Sequence, residues 1–186
     1  FNTPHGLLHA VDDLSFNIEK GKTLGVVGES GCGKSTLGRV ILRLIDSTEG
    51  EVLFEGEDVL KYSKAEMRAM RKSMQIIFQD PYESINPRMS VGELIAEPLI
   101  VNKICKGAEM DKKVRELMDT VGLAERMINS YPHELDGGRR QRIGIARALS
   151  VSPKFIVCDE PVSALDVSIQ AQILNLMQDL QKDRGF

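Results

Sequence analysis

The stretch GESGCGKST fits the pattern G-x-x-x-x-G-K-[ST], and its chemistry is phosphate binding. Gly28, Gly31 and Gly33 let backbone N–H groups curl around phosphate oxygens. Lys34 supplies a point charge for β- and γ-phosphates, Ser35 a hydroxyl for Mg²⁺, and the following helix start its dipole. The candidate nucleotide loop is therefore Gly28, Glu29, Ser30, Gly31, Cys32, Gly33, Lys34, Ser35 and Thr36. Small-residue packing is the expected role of Cys32.

FIVCDE is an apolar run ending in two acids, Asp159 and Glu160. A buried strand of this kind delivers Asp159 to the C-terminal edge of a sheet, where it can hold the Mg²⁺ that Ser35 ligates. Glu160 then polarises a water aimed at the γ-phosphate. Gln79 also follows an apolar run, and by itself reads only as a solvated loop residue. In HELDGGRRQRIGIARAL, the glycines Gly137 and Gly138 at a helix start suit an anion, whereas the carboxylate of Asp136 does not. His5, His9 and His133 have no partners at metal-ligand spacing, and Arg68, Arg71 and Lys72 read as a solvated helix face.

These groups need elements to position them. Leu14, Phe16 and Ile18 alternate as one face of a strand, with EKGK as a turn after it. TLGVVG reads as a buried strand feeding the glycine loop. The helix behind that loop carries Leu37, Val40, Ile41 and Leu44 at helical spacing. GEVLFEGEDV predicts a strand and turn, and SMQIIFQDP a buried strand stopped by Pro81. Further on, DKKVRELMDTVG predicts a helix with Val114, Leu117, Met118 and Val121 inward and Gly122 as its stop. A helix from about Arg139, the strand KFIVCDE, and a last helix with Ile169, Ile173, Leu176, Met177 and Leu180 on one face complete the series. Strands alternating with helices predict an α/β fold with a largely parallel sheet, interrupted by a mostly helical insertion. The methionines read as packing.

Composition bounds the rest. The 186 residues suffice for one domain with a sizeable core, and 42% hydrophobic with 27% charged residues is ordinary for a globular protein. A net charge of −3 gives no support to a nucleic-acid binder relying on bulk positive charge. The dispersed Cys32, Cys105 and Cys158 argue against a disulfide framework or a zinc site. No apolar run approaches the ~20 residues that span a bilayer, and no signal peptide is expected, so work at a membrane would go through a partner.

Together and in this order, the motifs resemble the ATP-binding subunits of ABC transporters. Gly28–Thr36 matches the Walker A loop, Gln79 the Q-loop, Leu135–Arg139 the signature, Asp159–Glu160 the Walker B end, and Ser163–Asp166 the D-loop. GESGCGKST, IIFQDPYESINPRMSVGELIAEPL and DEPVSALDVSIQAQILNLM resemble most closely the oligopeptide/dipeptide importer branch and its F-type ATP-binding subunit. The resemblance implies a P-loop NTPase core over 1–80 and 140–186, including an N-terminal β subdomain, and a helical signature subdomain over 81–139. It implies ATP and Mg²⁺, with Glu160 and Gln79 catalytic, and Ser35, Gln79 and Asp159 around the metal. Asp136, Gly137 and Gly138 would complete the site of a second ABC ATPase subunit, in a homo- or heterodimer. The segment from about 80 to 97 would receive the membrane-spanning permease subunits, with a solute-binding protein acting indirectly. The place of work would be the cytoplasmic face of the cell membrane, as a peripheral subunit.

The chain departs from the family pattern in three ways. The signature usually reads L-S-G-G-Q, but here LDGGR puts Asp136 for Ser and Arg139 for Gln. A carboxylate cannot donate to a phosphate oxygen, and like charges ~4 Å apart repel by about 4 kcal/mol at an effective dielectric of 20, less whatever Arg139 or Arg140 offsets. The family's switch histidine lies on a strand beyond the equivalent of Phe186, so the chain reads as C-terminally truncated. Phe1 is a poor substitute for the family's adenine-stacking aromatic. The expected function is ATP hydrolysis powering import of oligopeptides or dipeptides, with nickel or another solute still open. Asp136 favours instead an ATP-gated regulatory or binding module with weak hydrolysis, because it weakens the site completed in the partner. A soluble ABC ATPase of DNA repair or translation is disfavoured by one unduplicated cassette and near-neutral charge.

Overall fold

The computed structural model describes residues 2–3, 6–7 and 9–186. The chain divides into two compact units, Phe1–Arg71 and Lys72–Phe186.

In the first unit, β1 (Asn2–Thr3) and β2 (Gly6–Leu7) form an antiparallel pair. The EKGK turn is present: the Lys22 N–H donates to the Glu19 carbonyl at 3.0 Å, and Gly21 has φ +74°. The two strands expected on either side of it are not. Residues 14–18 and 24–28 lie outside any β ladder, and Leu14, Phe16, Ile18, Leu24 and Val26 are exposed, with Val27 at 97%. Alternation and apolarity supply only a propensity; a strand exists where a partner strand meets it, and none of the described residues does so here. Helix α1 (Lys34–Ile41) follows the glycine loop and ends before the predicted Leu44. Arg43 adopts a left-handed φ of +48° while its guanidinium donates to the Val59 carbonyl at 3.1 Å. That turns the chain, so Leu42 is buried and Leu44 stays exposed.

The predicted strand and turn over 50–59 is a hairpin of β3 (Leu53–Phe54) and β4 (Glu57–Asp58). Glu55 and Gly56, at φ +52° and +90°, make the two-residue turn whose twist suits a hairpin. Helix α2 (Lys64–Met70) opens on a reciprocal cap. Ser63 Oγ accepts from the Glu66 N–H at 3.3 Å, and Glu66 Oε2 accepts from the Ser63 N–H at 2.7 Å. The Ser63 side-chain bond, reinforced by its backbone N–H, holds the Glu66 carboxyl below the usual range. Arg68, Arg71 and Lys72 are exposed, as read from the sequence.

In the second unit, β5 (Met74–Ile77) and β6 (Phe155–Cys158) pair in parallel, from Met74 opposite Phe155 to Ile77 opposite Cys158. These two strands are the parallel sheet among the described residues. Pro81 opens the short helix α3 (Pro81–Ser84), capped by Asp80, whose Oδ1 accepts from the Tyr82 N–H at 2.7 Å. Helix α4 (Val91–Val101) repeats the reciprocal cap with Ser90 and Glu93, and the Ser90 N–H holds the Glu93 carboxyl low. Helix α5 (Ala108–Thr120) buries Val114, Leu117 and Met118, with Val121 beyond it, and the chain turns away at Gly122, φ +70°. Helix α6 (Gly137–Ser150) begins two residues earlier than expected, and α7 (Val167–Arg184) turns Ile173 and Leu180 inward with Ile169, Leu176 and Met177 half-buried beside them. One core, built on Leu94, Ile95, Leu99, Met118, Ile143, Ile145 and Leu149, ties α4, α5 and α6 together. Met89, Met127 and Met177 pack against that core, which is the packing role expected of them, and Met110 packs there too.

Candidate functional site

In the first unit the glycine loop is shaped by its own neighbours. Gly31 and Gly33 have φ +81° and +98°, in the region that favours glycine. A Cβ on Gly33 would lie 2.0 Å from the Ala10 carbonyl oxygen, so only glycine fits there. The Cys32 N–H closes a turn on the Glu29 carbonyl at 3.3 Å; Cys32 is exposed, and its Sγ sits 2.6 Å from where a Cβ on Gly28 would stand. Lys34 Nζ donates to the carbonyls of Gly28 and Glu29 at 3.0 and 2.9 Å, folding the lysine over its own loop. Ser35 and Thr36 stand in the first turn of α1, where backbone N–H groups and partial positive charge converge.

In the second unit, parallel pairing carries two distant segments to one sheet edge. The Asp159 N–H continues the ladder by donating to the Ile77 carbonyl at 2.9 Å, and Asp159 is 8% exposed. Two residues beyond Ile77, Gln79 Nε2 donates to Glu160 Oε2 at 3.2 Å. The structure therefore joins Gln79 and Glu160 directly, which no local pattern suggested. Glu160 has a left-handed φ of +46°, and its carbonyl accepts from both the N–H and the hydroxyl of Ser163, at 3.2 and 3.1 Å. A non-glycine residue in that conformation is held by its surroundings at an energetic disadvantage, an arrangement common where side chains do chemistry.

Asp136 is the N-cap of α6. Its Oδ1 accepts from the Arg139 N–H at 2.8 Å, and Oδ2 lies 3.3 Å from the Arg139 guanidinium. Asp and Ser are both favoured caps, so the aspartate takes over the helix-starting hydrogen bond a serine would make. Of the two arginines considered to offset its charge, Arg139 does so; Arg140 instead donates to the Pro132 carbonyl at 3.4 Å and lies 5.3 Å over the Tyr82 ring. The cap was legible as an aspartate immediately before a helix-starting glycine pair. The glycines have a packing reason as well: a Cβ on Gly137 would meet Leu165 at 2.9 Å, and one on Gly138 would meet Ile169 at 2.7 Å. The helix start thus lies directly against the segment that leads into α7. Phe1 falls outside the described residues, and no helix among those described is long and apolar enough to cross a membrane.

A family model described as ABC transporter matches residues 11–163. The chain belongs to the ABC transporter family. It is 59% identical to the oligopeptide transport ATP-binding protein OppF of Bacillus subtilis (strain 168), over 100% of this chain and 62% of the relative. It is 57% identical to OppF of Haemophilus influenzae, over 96% of this chain and 54% of the relative. The chain thus spans less than two thirds of these relatives' length. Among solved structures, a dimeric ATP-binding cassette in a post-hydrolysis state, bound to ADP and Pi, is 30% identical with a TM-score of 0.87, covering 100% of this chain and 80% of that one. A component of an ABC transporter complex from Clostridium perfringens is 29% identical with a TM-score of 0.86, covering 100% of this chain and 72% of that one. The fold is that of an ABC ATPase cassette, an α/β P-loop NTPase fold.

Proposed function

We propose that this chain is the ATP-binding and ATP-hydrolysing part of an ABC importer for oligopeptides or dipeptides. The observation that carries the reading is the bond from Gln79 to Glu160 beside Asp159, in a chain 59% identical to an oligopeptide transport ATP-binding protein. In this reading the core comprises 1–80 and 140–186 and the signature subdomain 81–139. Its partners are a second ATPase subunit and, through about 80–97, the permease subunits at the cytoplasmic face of the membrane.

The phosphate loop fits a nucleotide, because Gly31 and Gly33 allow the loop's N–H groups to converge and Lys34 is already placed over it. Lys34 Nζ would exchange two neutral carbonyl acceptors for charged phosphate oxygens, which form stronger bonds. When bound, ATP would supply the phosphoryl group and Mg²⁺ would neutralise its charge; Ser35 is the metal ligand proposed for the glycine loop, and Gln79 and Asp159 are those proposed for the sheet edge. Glu160 acts as general base, taking a proton from water onto its carboxylate. The Gln79 amide, donating to Oε2, orients that carboxylate.

The weak-hydrolysis alternative rests on Asp136. The Arg139 contact at 3.3 Å offsets its charge and lessens the force of that reading. The test is uptake of a labelled tripeptide by vesicles carrying the assembled transporter, with ATP inside or outside. ATP-dependent uptake lost with Glu160→Gln is the expected result. ATP hydrolysis without peptide uptake would overturn the peptide assignment, and absence of hydrolysis would overturn the enzyme.

A further inference from the structure

Arg140 and Arg147 stand two turns apart on α6 and so share a face. Both reach the short helix α3, which begins two residues after Gln79. Arg147 Nη1 donates to the Ser84 carbonyl at 2.9 Å, at the end of α3. Its Nη2 donates to Glu97 Oε2 at 2.7 Å, on α4. One guanidinium fork therefore ties three helices, while Arg140 covers the Tyr82 ring.

From these contacts we infer that Arg147 is a positioning residue for Gln79. Only four residues separate Gln79 from Ser84, and most of that span is the single turn of α3. Fixing the Ser84 carbonyl fixes where the chain leaves β5, and with it the approach of the Gln79 amide to Glu160 at 3.2 Å. Stability alone does not account for the arrangement. The Nε–H groups of Arg140 and Arg147 are buried without a hydrogen-bond partner among the described residues. The Arg147 and Glu97 side chains are 25% and 42% exposed, so their ion pair adds little to stability. The fork also makes Gln79 responsive to α4, because a displacement of Glu97 acts on the same guanidinium that holds Ser84.

The inference rests on the function proposed above, with Gln79 acting on Glu160. Its test is a double-mutant cycle in the assembled transporter between Arg147→Met and Gln79→Ala, reading kcat and KM for ATP, with Tm as the folding control. Arg147→Met is expected to lower kcat about tenfold with KM nearly unchanged, as one positioning hydrogen bond to a charged group would. In the Gln79→Ala background it is expected to lower kcat no further. Arg147→Lys, which keeps the charge but loses the fork, serves in the same cycle should the methionine variant fail to fold, and is expected to lie between wild type and Met. Independent, multiplicative losses would overturn the inference, and so would a lysine variant with full kcat. A wild-type assembly that hydrolyses no ATP would overturn the proposed function and the positioning role together. Hydrolysis with multiplicative losses would overturn the positioning role alone.

Discussion

The glycine loop of the first unit and the Gln79–Glu160 edge of the second solve opposite problems. The loop is built almost entirely from its own residues: two glycines in left-handed backbone, a lysine on carbonyls five and six residues away, and a turn closed by Cys32. The edge joins residues 81 apart in sequence, carried there by the parallel register of β5 and β6 and by the buried helices behind them. A local device can be written in a short motif and tolerates exposed surroundings, as Val27 at 97% exposure shows. A long-range device depends on packing throughout its unit, so its substitutions separate into those that disturb chemistry and those that disturb position.

The largest expected effect sharpens this contrast at the edge. Glu160→Gln should lower kcat by about 10²–10⁴-fold with ATP affinity intact, because it removes the proton acceptor but not the backbone that presents it; steady-state hydrolysis and equilibrium nucleotide binding check both halves. In the loop, the order reverses. Gly33→Ala should weaken ATP binding by tenfold or more, because the Ala10 carbonyl blocks the new methyl and the loop must leave its left-handed conformation; since that rearrangement can stay within an exposed loop, Tm should fall by less than for a core substitution. A drop in Tm as large as that of a core substitution would break the comparison. Gly138→Ala belongs to the long-range class: its methyl meets Ile169 at 2.7 Å, and overpacking of about 1–3 kcal/mol should appear as a lower Tm. Unchanged melting would mean that α6 and α7 adjust freely. The smallest effect concerns the helix cap. Asp136→Ala should destabilise by ~1 kcal/mol and Asp136→Ser by much less, because serine restores the acceptor for the Arg139 N–H. Equal losses in chemical denaturation would show that the Arg139 ion pair, at 3.3 Å, is the larger contribution.

The same division decides what the sequence revealed. The α5 stripe with Gly122 and the inward face of α7 were readable as periodicities with a local stop, and β5 and β6 as short apolar runs, although β6 is half-buried, with Cys158 exposed, and not the buried strand its composition suggests. The glycine loop was readable as a pattern of residue types at a fixed spacing. TLGVVG, residues 23–28, has the composition of a buried strand but lies outside any ladder, since nothing in those residues specifies a ladder partner. Helix α1 stops short of Leu44 because the Arg43 turn depends on the carbonyl of Val59, which the helical spacing does not encode. Gln79, ambiguous alone, gains its meaning only from Glu160, and Arg147 only from Ser84 and Glu97; such contacts leave no local trace. Asp136 is the reverse case, a capping signal carried locally by an aspartate before a glycine pair.

The backbone of Glu160 carries a consequence for anyone improving this protein. At φ +46° glycine or asparagine would rest more comfortably than glutamate, by roughly 1–2 kcal/mol for relief of the left-handed strain. A library ranked on heat resistance alone would therefore enrich replacements at position 160. Those winners would lack the carboxylate proposed to take the proton from water, so the best survivors of such a screen would be the idle ones. Selection on thermal survival has to be paired with selection on turnover at this position, where the two criteria point in opposite directions.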